Sequence, residues 1–127
     1  MTNINFDLLK NSLDAVSLRQ ELIASNISNV NTEGYKANKL EFESLLQQAA
    51  DGRSLHTTHA SHLGGSSNLA EVNPILGKNT TTSVKENGNN VDIDMEMANQ
   101  AQNTIQYQAL TAQLNAQYRR LGTIING

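Results

Sequence analysis

The 127-residue chain has no cysteine, which excludes a disulfide framework, a thiol nucleophile and cysteine-based zinc sites. Tryptophan is also absent, and two Phe and three Tyr are too few for a thick aromatic core. No charge sign dominates: 9 basic and 12 acidic residues give a net charge of −3. The only basic doublet is Arg119-Arg120, so there is no electrostatic footprint for nucleic acid. No stretch approaches the roughly 18 apolar residues of a membrane span. Met1 to Lys10 has neither a basic leader nor a continuous apolar run, so a soluble protein without a cleaved secretory signal is expected. The length suits one modest domain.

What the chain does contain is two long helical patterns flanking a polar middle, and the expected fold is mainly α. In the first pattern Phe6, Leu9, Leu13, Val16, Gln20, Ile23, Ile27 and Val30 alternate spacings of three and four. This is a heptad seam of four repeats with one polar intruder, and it predicts a helix over 4–31. Gln20 has two readings: it fixes register, or it faces a neighbour or water. Leu8, Leu18 and Leu22 lie off the seam and widen the apolar face beyond what one partner helix covers. Asn29, Asn31, Thr32 and Gly34 then supply turn chemistry, with Gly34 suited to a positive φ.

Residues 39–50 carry Leu40, Phe42, Leu45, Leu46 and Ala49, which predicts a short amphipathic helix stopped by Asp51-Gly52. The polar segment 52–90 holds Pro74, the chain's single proline, and five of the eight glycines. It is either unstructured until bound or partly ordered as a short β-hairpin. The hairpin would run from Thr80–Val84 through an Asn87-Gly88 turn to Val91 and Ile93. A second long helix starts near Asp92 or Asp94 and runs to about Ile125. Its clearest stripe is Tyr107, Leu110, Leu114, Tyr118, Leu121 and Ile125, preceded by Met97, Ala98, Ala101 and Ile105. Arg119 and Arg120 are expected to complement the negative end of its dipole. The chain thus divides into 1–36, 37–51, 52–90 and 91–127, with the two terminal helices pairing as a coiled-coil-like hairpin.

Catalytic and metal-binding patterns are weak. His56, His59 and His62 recur at helical spacing, but Gly64-Gly65 follows and no carboxylate lies close by, so solvated loop histidines are expected. Asp92, Asp94 and Glu96 lack the ligand order and glycine of a calcium loop, and helix capping explains them better. Gly64-Gly65-Ser66-Ser67 has no following Lys for a phosphate loop. No catalytic, cofactor-binding or metal residue is expected, and the chain reads as a non-enzyme.

One segment is more specific. Residues 24–36, A-S-N-I-S-N-V-N-T-E-G-Y-K, resemble the signature of the flagellar rod and hook family at Ala24, Asn26, Ile27, Asn29, Thr32, Gly34, Tyr35 and Lys36. Ser28 and Glu33 depart from it, and Glu33 forgoes the fixed φ of the family's usual proline. Residues 87–97 resemble the family's approach to its terminal helix, and the run Y-Q-A-L-T-A-Q-L-N at 107–115 resembles one type of rod protein within the family. The chain's brevity is similar to the proximal rod members, among which more than one type stays open here.

The resemblance implies a structural subunit that polymerises helically around an export channel and leaves the cell through the flagellar type III apparatus. It also implies partners: copies of itself, other rod proteins, the ring-to-rod adaptor, the membrane ring and export gate, and the rod cap. Periodicity and resemblance together place assembly contacts on Phe6, Leu9, Leu13, Val16, Ile23 and Ile27. On the second helix they fall on Tyr107, Leu110, Leu114, Tyr118, Leu121 and Ile125. The alternative is a soluble coiled-coil adaptor or chaperone, folding as a discrete dimer and using the same seams.

Overall fold

The computed structural model describes residues 2–50, 72–80 and 86–127. In chain order these form α1 (Thr2–Ser28), β1 (Asn38–Glu41), α2 (Glu43–Ala50), β2 (Ile75–Lys78) and α3 (Ile93–Asn126). The fold is mainly helical. The 27 residues of α1 and 34 of α3 make rods about 40 and 50 Å long.

α1 and α3 pair antiparallel. The rings of Phe6 and Tyr118 lie 5.6 Å apart at one end. Midway, Asn103 Nδ2 donates to the Val16 carbonyl and to Gln20 Oε1, both at 3.0 Å. Gln20 therefore pairs with a polar residue of the facing helix inside the same chain, a contact that favours one register. Arg19 extends the pairing, donating to Gln106 Oε1 at 3.1 Å.

The off-seam face of α1 meets a different partner. Asn11, Ala15, Leu18 and Leu22 recur at spacings of four, three and four, a second stripe beside the seam. Ala15 forms a core cluster with Leu40, Phe42 and Val72, and Leu18, Leu22, Leu45 and Leu46 pack against it. Asn11 Nδ2 reaches the Val72 carbonyl at the edge of this cluster. The width of the α1 face is thus partly explained within one chain, because the middle segment folds back onto it.

Residues 38–41 are strand rather than the first half of an amphipathic helix, and α2 begins only at Glu43. β1 pairs antiparallel with β2, Asn38 opposite Lys78 and Glu41 opposite Ile75. A long-range partner therefore overrides the local helical pattern, whose apolar residues Leu40 and Phe42 still point to the core. The small β element exists, but among the described residues it is built from 38–41 and 75–78. Val91 is outside any strand and Ile93 opens α3. Thr80 is described and lies outside β2, whereas residues 81–85 of the expected hairpin and the three histidines fall outside the described residues.

The helix ends follow local chemistry. α1 stops at Ser28, three residues before the expected end, because Asn29 Nδ2 takes the Ser25 carbonyl at 2.8 Å and a turn follows. Asp92 caps α3, its carboxylate accepting from Asp94 N and Met95 N. α3 runs to Asn126, leaving Arg119 and Arg120 short of its last turn, where the dipole has little effect on them. Among the described residues, no helix is long and apolar enough to cross a membrane.

Candidate assembly surface

The signature residues build a polar clasp where α1 ends and α3 begins. Asn26 is 2% exposed, and its carboxamide docks on the outer edge of β1 as a peptide group would. Nδ2 donates to the Asn38 carbonyl and Oδ1 accepts from Asn38 N, both at 2.9 Å. Oδ1 also accepts from the Tyr35 hydroxyl at 3.2 Å, and Asn26 hydrogen-bonds the Glu96 carboxylate of α3. Tyr35 Oη is shared with Ser25 Oγ and receives Asn38 Nδ2. One buried amide therefore couples α1, the turn, the sheet and α3.

Two more asparagines close the clasp from the other side. Asn89, fully buried, donates through Nδ2 to the carbonyls of Asn29 and Thr32 at 2.8 and 2.7 Å. Asn90 accepts from Ala37 N at 2.7 Å and donates to the Asn79 carbonyl at 2.7 Å. Gly34 N donates to the Asn87 carbonyl, and Lys36 Nζ to that of Gly88. Gly34 adopts φ +69°, as its place in the turn demanded, and Gly88 adopts φ +81°. Thr32 Oγ1 donates to Asn29 Oδ1 at 3.0 Å. Of the other signature positions, Ala24 is exposed and Ile27 half-buried. Sequence reading found Asn26 and Asn29 but missed Asn38, Asn89, Asn90 and the role of Glu96. The Asn87–Asn90 run was the available signal, since asparagine satisfies backbone groups that secondary structure leaves unpaired.

Charge is distributed around this scaffold with clear physical causes. Burial is the largest influence on the Glu96 carboxyl and holds it above the usual carboxylate range, while the Asn26 bond works against the rise and nearby Asp92 adds to it. Burial also pushes on Glu43, but hydrogen bonds from Arg19 and Gln106 and the Arg19 charge leave it lowered. Arg19 contacts Glu43 at 2.6 Å, and Gln106 Nε2 contacts the other carboxylate oxygen at 3.3 Å, bracketing the three helices. Glu41 is lowered first by the Ser44 hydroxyl and then by Lys39.

The residues expected to make assembly contacts divide by helix. On α1, Leu9, Val16 and Ile23 are buried within the chain, and Phe6, Leu13 and Ile27 are half-buried. On α3, Leu110, Leu114 and Leu121 are half-buried, whereas Tyr107, Tyr118 and Ile125 are exposed. α3 has a second apolar line on its outer side: Ala98, Ala101, Ile105, Ala109, Ala112 and Ala116 are all exposed, at spacings of three and four. Ile105 is 68% exposed, and Ile124 and Ile125 are 75% and 81% exposed. α3 is therefore apolar on opposite sides, one packed on its own chain and the other exposed.

Known proteins are similar in sequence to this chain. The profile of the family described as flagella basal body rod protein matches residues 10–36, which take in most of α1 and the turn. The flagellar basal body rod protein FlgB of Bacillus subtilis is 37% identical over 94% of this chain and 91% of its own. That of Borreliella burgdorferi is 39% identical over 78% of each chain, and that of Borrelia hermsii 38% identical over 85% of each.

Proposed function

The chain belongs to the FlgB family of flagellar basal-body rod proteins, and from that premise we propose that it is a proximal rod subunit polymerising helically with other rod proteins. The rod so formed connects the membrane ring and export gate to the distal rod and hook. Its neighbours are its own copies, other rod subunits, the ring-to-rod adaptor and the rod cap. It reaches its place through the flagellar type III apparatus, and its role is structural rather than catalytic.

The observation that carries the reading is the outer face of α3. The antiparallel pairing uses one side of this helix and leaves Ile105, Ile124, Ile125 and a line of alanines exposed. Alanines let a neighbouring helix approach closely, and repeated heterologous contacts generate an open helical tube. The clasp serves this assembly by fixing the angle at which the two helices present their faces. The seam residues Phe6, Leu9, Leu13, Val16, Ile23 and Ile27 set the hairpin's packing. Tyr107, Leu110, Leu114, Tyr118, Leu121 and Ile125 contribute to both the hairpin and the contacts between subunits.

Substitution tests this. Leu13→Asp and Leu114→Asp chains should still be secreted but fail to enter the rod, detected by immunoblotting of culture supernatant and of isolated basal bodies. Normal incorporation of both would refute the assignment. A stable discrete dimer of the purified wild-type chain in sedimentation would favour the adaptor reading instead.

A further inference from the structure

α1, β1 and α3 enclose a groove of about 650 Å³. Leu22 and Ile23 of α1 and Leu40 of β1 give it apolar surface, Glu96 and Asn103 lie deep on its α3 side, and the exposed Ile105 stands at its outer rim. It follows α3 from Glu96 to Ala109, a length of about 20 Å, enough for several turns of another helix. Its other charged residues are already engaged, Arg19 with Glu43 and Lys39 with Glu41. Glu96 has no cation among the described residues. Asn103 Oδ1 is the buried side-chain acceptor that lacks a hydrogen bond among them. The groove is therefore mixed, with apolar side chains set among amides, and Glu96 is its one charged residue without an opposite charge among the described residues.

The far end of the molecule has the complementary chemistry. Since Phe6 lies against Tyr118, Thr2 reaches only to about the level of Gly122, and the end of α3 projects beyond α1. This end exposes Ile124 and Ile125. Arg119 and Arg120, also exposed, have guanidinium groups without a hydrogen bond or ion pair among the described residues.

We propose that the groove receives the C-terminal end of α3 from a second copy of the chain, with Ile124 and Ile125 against Leu22 and the rim residue Ile105 and an Arg119 or Arg120 guanidinium beside Glu96. The inference rests on the subunit reading above and names one of its contacts. Groove and insert lie at different ends of one helix, so the contact is head-to-tail and leaves both outer ends free to continue. From Ile105 to Ile124 is 19 residues, which sets successive copies about 28 Å apart along the helix direction.

The absence of cysteine makes the test clean. Ile105→Cys and Ile124→Cys in one full-length chain place two thiols about 28 Å apart on a rigid helix, so no disulfide can close within a copy. The variant replaces the wild-type gene, and isolated basal bodies are mildly oxidised and run without reductant. Rods containing disulfide-linked multimers of this chain are expected. Rods with no such link, or with the thiol at position 105 joined to a different rod protein, overturn the second-copy contact while the subunit reading stands. Intact rods in a strain lacking the gene overturn the subunit reading itself. Should the double variant build no rods, the two single variants are purified, mixed and oxidised. A link between positions 105 and 124 about tenfold above the like–like links is expected, abolished by Arg119→Glu with Arg120→Glu, and a statistical mixture overturns the contact.

Discussion

Replacing Asn26 by Ala removes four hydrogen bonds while deleting almost no apolar surface. The lost partners are the Asn38 amide and carbonyl, the Tyr35 hydroxyl and the Glu96 carboxylate. At about 0.5–1.5 kcal/mol net for each, the gross loss is about 2–6 kcal/mol. Asn38 and Tyr35 are half-buried, so water recovers part of it, and about 2–4 kcal/mol is expected. For a chain of this size, about 4 °C of melting temperature accompanies each kcal/mol, so the midpoint should fall by about 8–16 °C. Asn26→Asp sharpens the test because it keeps shape and the acceptor oxygen. It replaces the Nδ2 donor with an oxygen facing the Asn38 carbonyl and the Glu96 carboxylate. At neutral pH it should destabilise at least as much as Ala, and acid should relieve it as the carboxyls protonate. Thermal unfolding of the full-length chain by circular dichroism, with hydrogen exchange at the Asn38 amide, reads both effects. A loss below about 0.5 kcal/mol for Ala, or an Asp variant matching wild type at pH 7, would refute the clasp.

Other outcomes follow from the same geometry. Gly34→Ala should cost about 1–2 kcal/mol in chemical denaturation from its left-handed backbone alone, since a Cβ there meets nothing within 4 Å. Gly34→Val should cost more and Gly34→Asn less, and an Ala variant as stable as wild type would contradict the assigned φ. For pH, the raised Glu96 binds its proton more tightly folded than unfolded. Its contribution is therefore present below the usual 4.5 and declines as pH rises through the elevated value. Glu41 and Glu43, both lowered, contribute above 4.5 and lose that contribution as pH falls below it. Stability should peak in mild acid, and Glu96→Gln should flatten the decline toward neutral pH; an unchanged profile counts against burial as its cause. Gln20→Leu with Asn103→Leu converts the polar pair of the seam to an apolar one. It should raise the melting temperature and broaden the oligomer distribution in sedimentation, and a monodisperse variant would show that the pair does not specify register.

The parts of the fold that are legible in sequence are those set by neighbours in the chain. The α1 seam has a heptad period, Asp92 has the chemistry of an N-cap, and Gly34 sits where only a positive φ closes the turn. β1 is different: Asn-Lys-Leu-Glu has no β-branched residue, and its partner strand begins 34 residues after β1 ends. Nothing local distinguishes it from the helical pattern of Leu40, Phe42, Leu45 and Leu46. The stripe of Asn11, Ala15, Leu18 and Leu22 was visible as surplus width, but its cover is the folded-back segment carrying Leu40, Phe42 and Val72. The signature was legible as a turn and its mechanism was not. Asn26 acts by imitating a peptide group at the edge of a strand that local sequence does not announce. Likewise, Glu96 suggested a first-turn carboxylate at the positive end of α3, whereas its burial comes from the opposite helix.

The central claim is that this chain is a structural element of the rod, and electron microscopy of basal bodies from a strain deleted for its gene tests it most directly. Loss of rod, hook and filament, restored by the wild-type gene but not by Leu114→Asp, is the predicted result. Intact rods in the deleted strain would contradict it.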